Sequence, residues 1–350
     1  MNIINNKVDE IKEHLLSDIV DIVKIPSVEG ESENDFPFGE KVGKALNKAL
    51  EISRKLGFKV RNLDNYIGYA EYGDSEDYIC VIGHVDVVHE GENWIYQPYG
   101  GEIYNGKIYG RGVLDNKGPI MCALYGLYVI KELGLKLDKK VRIIFGTNEE
   151  SGFKDIPYYL KKEKPPIMGF TPDCKYPVVH GEKGMAKIII KNNCNYKEDT
   201  FLSFIENMSE KVIVTNQELH KENSYIILEI KVKYEFSYKL EDVLDEIKSN
   251  FPNGTEIEVI SNFNPVYFDK DSELVKKLQI AYERVTSLDG TPVTTNGGTY
   301  AKVMPNIVPF GPSFPGQKGI AHNPDEYMDI DDIILNAKIF SNAIYELAKE

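Results

Sequence analysis

Apolar residues recur along the opening of the chain at the three- and four-residue spacing of a helix. Val8, Ile11, Leu15, Ile19 and Ile22 share one face between residues 7 and 25. The stretch GEKVGKALNKALEISRKLG repeats that spacing and stops at Gly57, a residue suited to ending a helix. Two amphipathic helices therefore open the chain. After them FKVRNL and IGYAEYG read as short strands, and YICVIGH and KVRIIFG as continuous apolar runs separated by a helix from about Gly118 to Leu133. A short helical stretch near residues 155–163 and the run IMGFTPD follow. Apolar runs alternating with helices predict an α/β fold with a mixed, mostly parallel sheet and several buried strands. In such sheets ligands gather at the carboxyl ends of the strands.

From about Glu182 the pattern changes to GMAKIIIKNN, TFLSFIENMSE, KVIVT, SYIILEIKVKYEF, LEDVLDEIKSNF and TEIEVIS, an order of β-α-β-β-α-β. That order predicts a small α+β, ferredoxin-like sandwich inserted as a second domain over residues 182–265, bounded by HGEKG and NFNP. Residues 1–181 and 266–350 would then form the first domain in two parts. The second part holds a helix at DSELVKKLQIAYERVTS, a Gly/Pro-rich loop with short strands, and a closing amphipathic helix at IDDIILNAKIFSNAIYELAKE.

Composition narrows the classes. With 350 residues and 42% hydrophobic content the chain can bury a full core, and 41 basic against 55 acidic residues give a formal charge of −14. That balance disfavours a nucleic-acid or anionic-membrane partner and suits a protein that holds cations. The start of the chain is charged from Lys7 onward, lacks an apolar core of signal-peptide length, and no run of about 18 apolar residues occurs, so a cytoplasmic location is expected. Cys80, Cys122, Cys174 and Cys194 form no CxxC pair and lie in or beside apolar stretches. They are expected to be reduced core thiols, with neither a disulfide framework nor a zinc finger.

Chemistry enters at the ends of the apolar runs. His84 and Asp86 follow YICVIG, Asp115 lies in GRGVLDNKGP, Glu149 and Glu150 follow KVRIIFG, Asp173 lies in FTPDC, and His322 in GIAHNPDEY. Taken singly each has an ordinary explanation as a cap, turn or surface residue. If the loops converge, two imidazoles and several carboxylates form a donor set for two borderline divalent ions, with Zn²⁺ expected and Mn²⁺ or Co²⁺ also fitting. One bridging carboxylate could hold such ions about 3.5–4 Å apart. Adjacent Glu149 and Glu150 would repel each other alone; beside dications one can ligate while the other takes a proton.

GHVDVV, GRGVLDNKGP, TNEESG, FTPD followed by GEKG, and GGTYAK, FGPSFPG and AHNPDEY in that order resemble the M20 family of metallopeptidases, and within it the PepV-like dipeptidases. The resemblance covers residues 1 to about 185 and 265 to 350. It implies a metal-dependent dipeptidase that cleaves short unblocked peptides, with a small peptide as its substrate partner. His84 would be a ligand of one metal, Asp115 the bridging ligand, Glu150 and Asp173 ligands on opposite sides, and His322 the second histidine. Asp86 would accept the other ring N–H of His84 and fix its tautomer. Glu149 would be the general base, taking a proton from a bridging water and returning it to the leaving amine. The family also implies a cis peptide between Asp115 and Asn116, where Asn116 replaces a usual aspartate.

The inserted domain corresponds to the family's lid and is much shorter than the PepV-type lid. It offers no histidine where the common short lid has one; His220 in NQELHKEN, the only histidine of the insert, reads as a surface-loop residue. The lid's usual DIR strand motif aligns with KVK, so Lys233 would stand in for an arginine as a point charge without the planar fork. Lys302 likewise occupies a place that is often arginine, and Gly297, Gly298 and Thr299 would form a backbone cradle near substrate. Short lids in the family commonly support a homodimer, which is the expectation here. Two other functions fit the same motifs: an N-acyl amino acid deacylase or carboxypeptidase-like amidohydrolase, and a metal-binding relative whose reduced lid impairs turnover.

Overall fold

The opening helix runs over Asn2–Val23 and so begins before the predicted start, because Ile4 continues the face of Val8, Ile11, Leu15, Ile19 and Ile22; all six are buried. The computed structural model describes residues 2–33, 35–193 and 196–349, so Cys194 lies outside the described residues. Contacts divide the chain into two compact units. The first contains residues up to Val179, Asp269–Val293 and the chain from Thr299; the second contains His180–Phe268 and Thr294–Gly298.

In the first unit six strands form one sheet in the order Lys59–Leu63, Ile67–Tyr72, Lys140–Gly146, Tyr78–His84, Met168–Thr171 and Ile307–Pro309. The last four are mutually parallel, and the first two pair antiparallel at one edge. That edge hairpin turns at Asp64 and Asn65, both at positive φ, with the N–H of Tyr66 donating to the carbonyl of Leu63 at 3.0 Å. Two left-handed central residues match the right-handed twist of paired strands, and Asn and Asp tolerate that conformation well. Tyr78–His84 is buried at every position and Lys140–Gly146 from Val141 on, as continuous apolar runs require of strands covered on both faces. The helix Lys117–Glu132 packs on Tyr78–His84 and against Asn2–Val23 and the closing helix Ile330–Ala348, while Glu40–Lys55 covers the antiparallel edge. His84 lies opposite Gly146 in the parallel register, so the segments after three neighbouring strands leave the same edge of the sheet.

The second unit holds a four-stranded antiparallel sheet in the order Val212–Glu222, Tyr225–Tyr234, Gly184–Asn193, Glu256–Phe263, with the helices Glu198–Glu206 and Leu240–Asn250. Its chain order is β-α-β-β-α-β, the ferredoxin-like sandwich. The core lies between helices and sheet and is built from Ile188, Ile190, Phe201, Leu228, Ile230, Val243 and Ile247. His220, expected in a loop, lies instead on the edge strand Val212–Glu222 opposite Ile227 and is exposed. Backbone pairing to Tyr225–Tyr234 makes NQELHKE a strand, although neither of its faces is buried. Among the described residues no helix is long and apolar enough to cross a membrane.

Candidate metal centre

His84 closes the buried strand Tyr78–His84 and is itself fully buried. A Cβ at Gly83 before it would lie 2.1 Å from Oδ1 of Asn116, which accepts the backbone N–H of His84 at 3.4 Å, so a larger residue there would displace that side chain. On the ring, Nδ1 lies 2.9 Å from the backbone carbonyl of Asp86 and 3.4 Å from its carboxylate Oδ1. The carbonyl, two residues on, is thus the nearer acceptor. The Asp86 side chain anchors something else, its Oδ2 accepting the backbone N–H of Glu150 at 3.1 Å. Either acceptor puts the proton on Nδ1 and leaves Nε2 facing the centre.

Around Nε2 the expected ligands converge. His84 Nε2 lies 3.0 Å from Asp115 Oδ1 and 3.7 Å from Asp173 Oδ2. The second oxygen of Asp115, Oδ2, lies 3.0 Å from His322 Nε2, which is 3.1 Å from Glu150 Oε1. Asp115 therefore faces one imidazole with each oxygen. Two donor groups result, His84 with Asp115 and Asp173, and Asp115 with Glu150 and His322, each with donor atoms within 4.8 Å of one another. The peptide between Asp115 and Asn116 is cis. Asn116 donates through Nδ2 to the carbonyl of Pro172 at 2.6 Å and to Asp173 Oδ1 at 3.3 Å, bonds that a carboxylate there could not give.

The segment carrying Glu149 and Glu150 is held from behind. Asp155, fully buried, accepts at Oδ2 from the N–H groups of Thr147 (2.8 Å) and Asn148 (3.3 Å) and from the hydroxyl of Tyr300 (2.5 Å). Asn148 then accepts from Phe153 N–H at its carbonyl (2.7 Å) and from Lys154 N–H at Oδ1 (3.0 Å). Gly146 leaves the room that Tyr300 fills, since a Cβ there would be 1.9 Å from the tyrosine oxygen. Glu149, partly buried, projects from this turn, and among the described residues its carboxylate makes no hydrogen bond or ion pair.

The electrostatics fit divalent cations. Burial, then the neighbouring carboxylates, pushes Glu149 and Asp173 well above the usual carboxylate range and raises Glu150 as well. His322 is pushed up to about 10 by its hydrogen bonds to Asp115 and Glu150. At His84 burial opposes the charge, yet the hydrogen bonds to Asp115 and Asp86 outweigh it and hold the imidazole well above its ordinary value. The same two imidazoles hold Asp115 low against the effect of its burial. A site that draws protons onto both Nε2 atoms has the negative potential that a divalent ion would neutralise, displacing those protons. No lysine or arginine forms an ion pair with Asp115, Glu149, Glu150 or Asp173 among the described residues to do so instead.

A family model described as peptidase family M20/M25/M40 matches residues 80–346. The chain belongs to this family. It is a metal-dependent M20 peptidase, and the region matched includes every residue of the two donor groups. The protein YtjP of Bacillus subtilis (strain 168), named as a dipeptidase, is 30% identical, with 97% of this chain and 98% of that protein covered. A beta-Ala-Xaa dipeptidase of Lactobacillus delbrueckii subsp. lactis is 26% identical, with 97% of each chain covered. Because the alignment with YtjP runs over 453 positions and this M20 chain has 350 residues, more than 100 positions of the relative have no counterpart here. Bacillus subtilis YXEP, a dinuclear metal-binding peptidase of the M20 family, shares the fold with a TM-score of 0.70 at 12% identity, covering 97% of this chain and 99% of that one.

The residues expected near substrate have varied settings in this M20 chain. Thr299 is buried, and its hydroxyl accepts the N–H of Ala301 at 3.1 Å, capping the short turn Tyr300–Lys302 that carries Lys302. Gly297 donates its N–H to Thr295 Oγ1 at 3.2 Å, and with Gly298 belongs to the second unit. Lys233 lies on Tyr225–Tyr234 of that unit, opposite Met185 and Ile213. Asp155, which holds the segment carrying Glu149 and Glu150, was not singled out by sequence, nor were Arg111 and Glu326, which form a buried ion pair at 2.7 Å. The last two sit inside quoted motifs, GRGVLDNKGP and AHNPDEY, but a charge within a motif does not reveal its partner.

Proposed function

We propose that this M20 peptidase is a two-metal dipeptidase that hydrolyses the amide bond of short unblocked peptides, with Glu149 as the general base. The observation that carries the proposal is the division of Asp115 between two imidazoles with an uncommitted Glu149 beside them. In this reading His84, Asp115 and Asp173 hold one divalent ion, and Asp115, Glu150 and His322 the other. Bound there, such ions supply Lewis acidity that polarises the scissile carbonyl and acidifies water. His84 keeps its proton on Nδ1 and presents Nε2, and Asp86 steadies Glu150 through its backbone N–H. A carboxylate oxygen of Glu149 takes the proton of the attacking water and delivers it to the leaving amine nitrogen. Dipeptide substrates are supported by the names of the two relatives, which align along nearly their whole length. Zn²⁺, Mn²⁺ and Co²⁺ all suit mixed imidazole and carboxylate donors.

A panel of free dipeptides and their N-acetylated counterparts, followed by mass spectrometry with apo protein reconstituted with Zn²⁺ or Mn²⁺, tests the proposal. Metal-dependent cleavage confined to the free dipeptides is expected. Cleavage confined to the acetylated compounds would make the protein a deacylase, and no cleavage by protein loaded with two metals would remove the dipeptidase reading.

A further inference from the structure

Behind Asp115 lies an ion pair that the proposed chemistry does not use. Arg111 Nη1 donates to Glu326 Oε2 at 2.7 Å, and the two side chains are 1% and 0% exposed. The other carboxylate oxygen, Oε1, accepts the backbone N–H of Leu114 at 2.9 Å and that of Asp115 itself at 3.1 Å. The backbone carbonyl of Glu326 accepts the N–H of Gly110 at 2.9 Å. Arg111 is fixed in turn. Its Nη2 donates to the carbonyl of Glu90 at 3.1 Å, its backbone N–H to Pro98 at 2.7 Å, and its guanidinium lies 5.2 Å from the ring of Trp94. Next to Glu326, Asp325 Oδ1 accepts the N–H groups of Ile95 and Tyr96 at 2.9 and 3.0 Å.

Stability alone does not call for such a pair, since well-packed apolar residues of similar volume often replace a buried ion pair at no loss. An apolar residue at position 326 could not, however, accept the N–H of Asp115. Glu326 is also four residues beyond His322, so one anchored side chain ties the segment that ends in Asp115 to the segment that carries His322. These two residues meet at 3.0 Å, Oδ2 to Nε2.

We infer that Glu326 is a positioning residue for the metal centre, acting through the backbone N–H of Asp115 and held in place by Arg111. This rests on the reading of Asp115 as a metal ligand. Through Oε1 it sets the direction in which the Asp115 carboxylate leaves the backbone, and through its own backbone it sets the distance to His322.

The test titrates the full-length apo chain with Co²⁺, whose visible absorption reports ligand geometry, with a competing chelator for affinity and circular dichroism for folding. Three variants separate charge from aim. Arg111→Met with Glu326→Leu removes the ion pair whole; Arg111→Met with Glu326→Gln restores an amide oxygen at the Oε1 position; Glu326→Asp keeps the charge facing Arg111 but withdraws the carboxylate by one methylene. The folded Met/Leu variant is expected to bind Co²⁺ about 10- to 100-fold more weakly with an altered spectrum, the range for loss of a group that orients a ligand. The Met/Gln variant is expected to recover most of the loss. If the Met/Leu variant does not fold, Glu326→Asp decides, with a weakened, spectrally altered site expected. Wild-type affinity and spectrum in the folded Met/Leu variant, or in folded Glu326→Asp, overturn the inference. Failure of the wild-type chain to bind Co²⁺ overturns the metal reading itself, and the inference with it.

Discussion

Replacing Glu149 by Gln keeps the side chain's size and removes its charge, so the two effects of that charge can be read apart. Catalytically, Gln cannot accept the proton of the attacking water. A positioned general base contributes typically ~10²–10⁴-fold, and at 1.36 kcal/mol per tenfold the variant should lose about 3–5 kcal/mol of transition-state stabilisation. The loss should fall on kcat, because among the described residues Glu149 makes no contact whose removal would disturb the ligands. Structurally the sign reverses. Burial raises Glu149 first, and Asp115, Glu150 and Asp86 raise it further, so in the apo protein its ionised form is held at a cost. Chelator-treated Glu149→Gln should therefore melt at or above the wild-type temperature. Steady-state hydrolysis of a cleaved dipeptide, metal analysis and apo-protein melting together form the assay. Undiminished metal content, a melting point that does not fall and a kcat reduced at least a hundredfold fit the account. Activity within tenfold of wild type refutes the assignment of the base, and loss of activity together with metal refutes the separation of Glu149 from the ligands.

Asp155 is pushed up to about 6 by burial, against the hydrogen bonds it accepts, and among the described residues its Oδ1 has no hydrogen-bond partner. Below the unfolded value of 3.8 it is protonated in both states; between there and about 6 the folded state binds the proton more tightly, so this group's contribution to apo stability falls as pH rises through that window. Urea unfolding from pH 4 to 7 should show Asp155→Asn gaining on wild type by roughly 2 kcal/mol, at 1.36 kcal/mol per unit; a difference that shrinks with rising pH contradicts the assignment. In the second unit Phe201 is fully buried with Phe251 at 5.3 Å, and Phe201→Ala should cost about 3–5 kcal/mol of that unit's stability. Limited proteolysis should then cut first within His180–Phe268, and cleavage unchanged from wild type would count against that core.

The fold was most legible where burial leaves a pattern. YICVIGH and KVRIIFG read as covered strands because both faces are apolar, and the β-α-β-β-α-β order of the second unit follows from alternation in GMAKIIIKNN and SYIILEIKVKYEF. The strand through His220 was not legible, since backbone pairing alone makes it and its side chains are almost all in water. At the centre, His84, Asp115, Glu150, Asp173 and His322 were singled out from motifs; His84, Glu150 and Asp173 come together because three neighbouring parallel strands share one carboxyl edge, while Asp115 and His322 arrive on loops outside that sheet. The supports escaped notice for one physical reason. Asp155 with Tyr300, and Arg111 with Glu326, are contacts over 145 and 215 residues, which no local spacing encodes.

The proposed bridging role of Asp115 is tested by metal content after equilibration with Zn²⁺, measured for wild type, His322→Ala and Asp115→Ala in parallel. Two ions per chain are expected in the wild type, one in His322→Ala through His84, Asp115 and Asp173, and none in Asp115→Ala, because each donor group contains that carboxylate. A folded Asp115→Ala variant that still holds two ions would contradict that role.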